Sequence, residues 1–186
     1  TNCKKIYQLK DYSKILQINC DFGFLLNDIK NLNNTFQIFG TESSNYAIEN
    51  SLEICGSETP TIYLSGFSAG GSACGAVAHL YPQIRKILLL SAYDSVGDYF
   101  YAGISQFTGE IYMAYGANDQ PAGFLAYGMG FMAVNVDMIN VKEIPDCDHG
   151  FRGDTNNMIL SKAYSWAFAG DVTFPSPEGG ILLYQA

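Results

Sequence analysis

The sequence predicts one α/β domain, residues 1–186, with a doubly wound and mostly parallel sheet of about seven strands flanked by helices. The length of 186 residues fits a single domain. Hydrophobic residues make up 48% of the chain and charged residues only 15%, which is enough apolar side chain for a sizeable core. Short apolar runs alternate with longer helical ones, and no repeat, low-complexity tract or charge block marks a linker.

The candidate strands are short, and several are apolar on both faces, which is typical of strands buried in a parallel sheet. They are Lys5–Leu9, Ile15–Cys20, Thr35–Phe39, Thr61–Ser65, Ile87–Ser91, Ile111–Tyr115 and Val141–Ile144. The candidate helices between them are Phe24–Leu32, Tyr46–Cys55, Ala69–Leu80, Pro121–Met132 and Thr155–Ala169. The glycine-containing, aromatic segment Ser95–Thr108 replaces an expected helix, and we interpret it as a short wall or lid.

The composition argues against several classes of partner and site. With 18 acidic and 10 basic residues the net charge is -8, so we expect neither nucleic acid nor anionic membrane to bind. No apolar run approaches the ~20 residues that cross a bilayer, so we expect no membrane span. A start at Thr1 rather than methionine is typical of a processed or trimmed chain, and a soluble cytoplasmic or secreted protein fits equally. The five cysteines contain no CxxC pair, which argues against a Cys-rich zinc site.

A GxSxG pattern follows the candidate strand Thr61–Ser65 and precedes a helix. It reads Gly66-Phe67-Ser68-Ala69-Gly70. A nucleophilic serine needs this spacing because it lies on a sharp, strained turn, where we expect Gly66 and Gly70 to leave room for the backbone. The alternative is a tight turn of a nucleotide-binding type of fold. The strand, turn and helix context favours Ser68 as a nucleophile.

A serine hydroxyl needs a base, and the chain has two histidines. His79 lies eleven residues into the helix that Ser68 opens, about 16 Å away at the helical rise, so we expect it to be out of reach. His149 follows the last candidate strand and is the candidate base. A metal site built on the acids around His149 is not expected.

A carboxylate usually holds such a histidine in one tautomer. The strand Ile111–Tyr115 leads into a loop that contains Asp119, just before a helix, and Asp119 is the candidate orienting acid. Two alternatives stay open: Asp119 could cap the following helix, and Asp94 could be the acid instead.

The order Ser68, Asp119, His149 resembles the α/β-hydrolase superfamily, particularly small esterase- and lipase-like members. The resemblance covers nearly the whole chain as an order of elements, with a minimal cap or none. The segment Tyr63–Gly71 looks like the nucleophile elbow of feruloyl-esterase and polyester-depolymerase relatives.

The resemblance implies an oxyanion hole. Ala69, after the nucleophile, would supply one backbone N–H. The second would come from the Asn19–Gly23 segment, where family members often carry His-Gly and this chain has Asn19-Cys20. Asp21 or Phe22 is the candidate donor.

The expected function is that of a serine hydrolase for a small-molecule or polymeric carboxylic ester or thioester, with no cofactor. The candidate pocket is shallow and aromatic, lined by Phe67, Tyr93, Tyr99 and Phe151 together with Phe22. A peptidase or acyl transferase on the same fold is one alternative. A non-catalytic binding or assembly subunit is the other, and the oligomeric state is open.

Overall fold

The computed structural model describes residues 4–8, 14–18, 44–46, 48–56, 58–59, 61–154, 158–174 and 181–185. Their strands form a two-stranded and a five-stranded sheet. The strands are β1 (Lys4–Gln8), β2 (Lys14–Ile18), β3 (Ile62–Phe67), β4 (Ile84–Leu90), β5 (Glu110–Gly116), β6 (Met138–Ile144) and β7 (Ile181–Gln185). In the larger sheet β3, β4, β5 and β6 are parallel neighbours in chain order, and β7 pairs antiparallel with β6.

The expectation of one sheet of about seven strands is not confirmed, because β1 and β2 pair antiparallel with each other as a separate sheet. The connection between them is too short for the crossover that parallel strands need. The edge strand β7 was not expected from the sequence. The candidate strand Thr35–Phe39 lies outside the described residues. The parallel α/β core is confirmed for the four strands β3 to β6.

The helices that are described over their full length are α1 (Ser51–Cys55), α2 (Ala69–Val77), α3 (Asp98–Gln106), α4 (Gln120–Met132) and α5 (Met158–Ala169). Residues 44–46 and 48–49, just before α1, are also helical. A 3-10 turn, Ala78–Leu80, extends α2, so the expected helix Ala69–Leu80 is present in two parts. The candidate helix Phe24–Leu32 lies outside the described residues.

The interpretation of Ser95–Thr108 as a wall or lid is wrong, because the segment forms α3 and packs closely against α2. Phe100 and Phe107 are buried in the core. A Cβ atom at Gly103 would lie 2.3 Å from the Gly75 carbonyl oxygen, and one at Gly75 would lie 2.3 Å from the Phe100 ring. Gly103, which suggested a loop, therefore allows α3 to approach α2 at Gly75.

The sheet is covered on both faces, by α2, α3 and α4 on one and by α5 on the other. The expected doubly wound arrangement is not confirmed, because β3 to β6 lie side by side in chain order without a reversal. Alternate residues of β4 and β5 point to opposite faces. Ile87, Leu89, Ile111 and Met113 pack with α2, α3 and α4. Their neighbours Leu88, Leu90, Tyr112 and Ala114 pack with α5. Because β3 to β6 are parallel, their carboxyl ends lie along one edge, where ligands of open α/β sheets usually bind.

Candidate active site

Ser68 lies on the sharp turn between β3 and α2. Its backbone has φ 57° and ψ -126°, in a region that non-glycine residues rarely adopt. Such a conformation costs roughly 1–3 kcal/mol and persists only where the surroundings hold it. One such contact is the hydrogen bond that the Ser68 N–H donates to the Leu90 carbonyl of the neighbouring strand, at 2.8 Å. The turn is thus fixed against β4.

Two glycines let this turn form, and they are not the two that the motif suggests. A Cβ atom at Gly66 would lie 2.2 Å from the Gly70 carbonyl oxygen, so this position needs glycine. A Cβ atom at Gly70 meets nothing within 4 Å. Gly71 is the second tight position, because its Cβ atom would lie 2.9 Å from Cβ of Ala92. The expectation that Gly70 must lack a side chain to leave room is wrong, because its Cβ position faces open space although its carbonyl oxygen lies close to Gly66.

The structure brings Ser68, His149 and Asp119 together in one line of hydrogen bonds. The Ser68 Oγ atom lies 2.8 Å from Nε2 of His149. On the other side of the ring, Nδ1 of His149 lies 2.9 Å from Oδ2 of Asp119. Because a carboxylate only accepts hydrogen bonds, the contact with Asp119 favours the tautomer with the proton on Nδ1, in which Nε2 can accept from the serine hydroxyl.

Asp119 makes both of the contacts that the sequence left as alternatives. It is only 3% exposed, and Oδ2 accepts from His149. Its other oxygen, Oδ1, accepts weakly from the Ala122 N–H at 3.5 Å, as the cap of α4. Pro121 stands in the first turn, where a missing N–H costs nothing. The two oxygens therefore have different partners, a weak contact with the helix N-terminus and a short one with the imidazole.

The loop that carries His149 is organised by its neighbour Asp148. The Asp148 Oδ1 atom accepts from the N–H groups of Gly150 and Arg152, both at 3.0 Å. Its Oδ2 atom pairs with Nε of Arg152 at 2.8 Å. The N–H of Arg152 is the main reason why the pKa of Asp148 lies below its ordinary value, with Gly150 and the guanidinium adding to it. Sequence analysis missed this role, although Asp-x-Gly is a turn signal.

The loops that hold Asp119 and His149 are joined through their backbones. The Ala117 N–H donates to the Ile144 carbonyl at 2.8 Å, and the Asn118 N–H donates to the Cys147 carbonyl at 2.9 Å. Gly116 allows this approach, because a Cβ atom there would lie 2.3 Å from the Cys147 oxygen. The acid and the histidine therefore keep a fixed separation.

Two of the aromatic residues expected in the pocket, Phe67 and Tyr93, contact the His149 ring, and a third, Phe151, packs on Phe67. The Phe67 ring centroid lies 5.4 Å from that of the imidazole, and the Tyr93 ring meets it edge-on at 5.8 Å. Phe151 is buried and lies behind Phe67, at 6.4 Å between ring centroids. Tyr99 lies exposed on α3 and is not among the described residues that line the cavity beside His149. Phe22 lies outside the described residues.

An open cavity of about 500 Å³ adjoins His149 and Asp119. Most of its walls come from the loops that follow β4, β5 and β6. The lining residues are Tyr93, Asn118, Asp119, Gln120, Pro121, Asp148, His149 and Arg152. The cavity lies next to the histidine, and Ser68 is not among the residues that line it.

A buried serine that the sequence analysis missed connects the nucleophile turn to this cavity. Ser72 lies in the first turn of α2, and its hydroxyl donates to the Tyr93 carbonyl oxygen. The Tyr93 ring in turn meets His149. A hydroxyl four residues after the nucleophile is the only sequence signal for this contact, and it is a weak one.

The remaining candidates have other positions. Asp94, the alternative acid, accepts a hydrogen bond from the Tyr101 hydroxyl at 2.7 Å, and this bond raises the pKa of Tyr101 to about 12. Ala69 is the first residue of α2. His79 lies in the 3-10 turn at the far end of α2, where burial lowers its pKa. Asp21 lies outside the described residues.

The described part of the chain contains neither a cluster of metal-binding side chains nor a helix that could span a membrane. No group of three or more His, Cys, Asp or Glu residues there could hold a metal ion. None of the helices in the described ranges is long and apolar enough to cross a membrane.

Comparisons with known proteins give partial structural similarity alone. No protein-family model matches the chain, and no curated protein matches its sequence. The esterase domain of a Rhodothermus marinus protein is 13% identical with a TM-score of 0.49, over 81% of this chain and 90% of that one. An Agrobacterium tumefaciens protein of unknown function, described as a candidate alpha/beta hydrolase, is 14% identical with a TM-score of 0.49. The match covers 67% of this chain and 57% of that one. A predicted CIB-like hydrolase from Thermoplasma acidophilum is 13% identical with a TM-score of 0.43. The match covers 72% of this chain and 56% of that one. At these scores the similarity carries no argument about function, and the fold follows from the chain's own strand order.

Proposed function

We propose that this chain is a serine hydrolase that cleaves a carboxylic ester or thioester through an acyl-enzyme on Ser68. One observation carries the proposal: Ser68 Oγ, the His149 ring and the Asp119 carboxylate are joined by contacts of 2.8 and 2.9 Å. A serine hydroxyl is a weak nucleophile unless a base removes its proton, and this arrangement supplies the base and its orienting group.

In the first step, Ser68 Oγ attacks the carbonyl carbon of the substrate while His149 Nε2 takes the hydroxyl proton. The imidazolium that forms is stabilised by the buried carboxylate of Asp119, which also keeps the ring in the tautomer that accepts at Nε2. The cap contact of Asp119 supports this role, because it keeps the carboxylate oriented throughout.

The carbonyl oxygen becomes an oxyanion in this step and needs donors. The Ala69 N–H is a suitable first donor, since helical geometry gives the first N–H groups of α2 no acceptor within the helix. The positive end of the α2 dipole lies at the same place. The second donor is proposed to be the N–H of Asp21 or Phe22, from the resemblance alone.

The tetrahedral intermediate then collapses and releases the alcohol or thiol, which takes the proton from His149 Nε2. A water molecule, deprotonated by the same nitrogen, attacks the acyl-enzyme and returns Ser68 to its starting state. Phe67 and Tyr93 on two sides of the imidazole support the mechanism by limiting its rotation between these transfers.

The first test is a series of p-nitrophenyl esters of increasing acyl length, with the wild type and Ser68→Ala. We expect Ser68→Ala to lower kcat by at least about 1,000-fold, because removing the nucleophile of such a triad leaves only residual catalysis. Ser65→Ala is a matched control: this serine lies three residues earlier, in β3, and its hydroxyl contacts Tyr164 on α5. The proposal is wrong if Ser68→Ala hydrolyses esters at the wild-type rate, or if the folded wild type cleaves none.

A further inference from the structure

One side of α4 is apolar and open to solvent. Phe124, Tyr127 and Phe131 are 80%, 78% and 87% exposed, and Val134, just after the helix, is 68% exposed. Steps of three or four residues place the three rings on one side of the helix, with Val134 beyond its last turn. We call these four residues the α4 stripe.

The α4 stripe is unusual for a surface helix. No charged residue occurs between Asp119 and Asp137, although surface helices normally carry charged residues on the face away from the core. The opposite side of α4 packs into the core through Ala122, Leu125, Ala126 and Met129. The helix is therefore apolar all round, which is the pattern of a helix that is covered on every side.

We propose that the α4 stripe is a contact between two copies of this chain, which pack α4 against α4 about a two-fold axis. Each aromatic side chain offers roughly 200 Å², so the stripe amounts to about 600 Å² per copy and about 1,200 Å² in a pair, the lower end of specific interfaces. A two-fold contact uses the same patch on both copies, and an apolar stripe is complementary to itself.

Electrostatics favours this patch for self-association. Each copy carries a net charge of -8, so two copies repel each other, and this repulsion is smallest for a contact patch that itself carries no charge. The α4 stripe lies in such a region. Gly128, next to Tyr127, leaves space on the helix, because a Cβ atom there would meet only the end of Met132, at 3.4 Å. A ring from the second copy can fill that space.

The direction of α4 favours a second copy over a lipid surface. The helix starts at Asp119, beside the candidate site, and runs down the flank of the sheet, so Phe124 and Val134 lie about 15 Å apart along it. A bilayer against this flank would not lie across the mouth of the site. The inference does not depend on the proposed hydrolase function, since the α4 stripe contributes no atom to that chemistry.

The test is analytical ultracentrifugation of the full chain over a wide range of concentrations. We expect a wild-type mass of twice 20.4 kDa that falls to 20.4 kDa on dilution. Phe131→Asp should raise the dimer Kd by at least about 100-fold, because it places a charge in an apolar contact. Tyr127→Ala, a milder change, should raise it by about 10-fold. Val172→Asp is the control, since Val172 is 90% exposed but follows α5 on the other face of the sheet.

Circular dichroism shows whether each variant is folded. A wild type that stays at 20.4 kDa at every concentration overturns the inference. So does a dimer whose Kd is the same for folded Phe131→Asp or Tyr127→Ala as for the wild type. A monomer that floats with phosphatidylcholine vesicles also overturns it, and would assign the α4 stripe to lipid.

Discussion

The Ser68 turn and the His149 loop meet in the same site but are held in place by different forces. The turn is held by close backbone packing, and it exists because Gly66 has no side chain. The loop is held by polar contacts near the surface, through Asp148 and through backbone bonds to the loop of Asp119. Substitutions that add atoms should therefore disturb the Ser68 turn most. Substitutions that remove hydrogen bonds should disturb the His149 loop most.

The largest effect is expected for Gly66→Ala. The added methyl group would lie 2.2 Å from the Gly70 carbonyl oxygen, so either β3 or α2 must move. Overpacking of this kind costs about 1–3 kcal/mol, which corresponds to a fall in Tm of roughly 2–12 °C for a chain of this size. Thermal unfolding followed by circular dichroism measures it.

Gly70→Ala is the matched control for this change. A Cβ atom there meets nothing within 4 Å, and alanine is a better helix former than glycine. Its Tm should equal that of the wild type or lie slightly above it. Equal destabilisation by both substitutions would contradict the steric account of the turn.

Asp148→Ala should have the opposite profile, with a large effect on activity and a small one on Tm. It removes the acceptor of two N–H groups and the partner of Arg152, so the His149 ring loses its fixed position. A misplacement of about 1 Å can cost a factor of about 100, and we expect kcat to fall by about 10- to 100-fold with KM little changed. Steady-state ester hydrolysis measures both constants. A rise in KM alone would instead assign Asp148 to substrate binding.

The same carboxylate predicts a pH dependence of the loop. Because the folded pKa of Asp148 is lowered, mainly by the Arg152 N–H, its stabilising contribution is complete above the ordinary aspartate value of about 4. That contribution is lost as the pH falls through the lower, folded value. An NMR titration of the Gly150 amide should show a midpoint below about 4, and the step should vanish in Asp148→Ala. A midpoint above the ordinary aspartate value would contradict the lowered pKa of Asp148.

The smallest effect is expected for Arg152→Gln. The guanidinium is 85% exposed, and exposed ion pairs contribute about 0–1 kcal/mol. The backbone N–H of residue 152 still bonds to Asp148 in this variant, so the loop keeps its shape. We expect less than about a threefold change in kcat, measured at low salt where the pair is strongest. A loss as large as that of Asp148→Ala would mean that the side chain, not the backbone, organises the loop.

The sequence predicted the candidate site better than it predicted the fold around it. Ser68, Asp119 and His149 each follow a parallel strand, and the carboxyl ends of such strands share an edge, so chain order alone brought them together. The small number of histidines made the choice of base simple. The sequence presented the two roles of Asp119 as alternatives, because it does not show that each carboxylate oxygen has its own partner.

Other features were not predictable because they depend on contacts between distant residues. Gly103 suggested a loop and Gly75 lay in a predicted helix, yet together they allow α2 and α3 to pack closely, which neither local pattern indicated. The apolar pattern of α4 indicates burial on all sides, yet Phe131 and its neighbours are exposed. Gly70 matches the GxSxG motif, yet a side chain at this position would meet no neighbouring atom. In each case the local sequence pattern did not show which distant part of the structure the residue contacts.

The most direct test of the account is labelling of the purified chain with a fluorophosphonate, followed by mass-spectrometric mapping of the modified residue. We predict a single adduct on Ser68 that is strongly reduced in His149→Ala and retained in His79→Ala, because only His149 contacts the Ser68 hydroxyl among the described histidines. The absence of an adduct on Ser68 in folded protein, or equal labelling in His149→Ala, would contradict it.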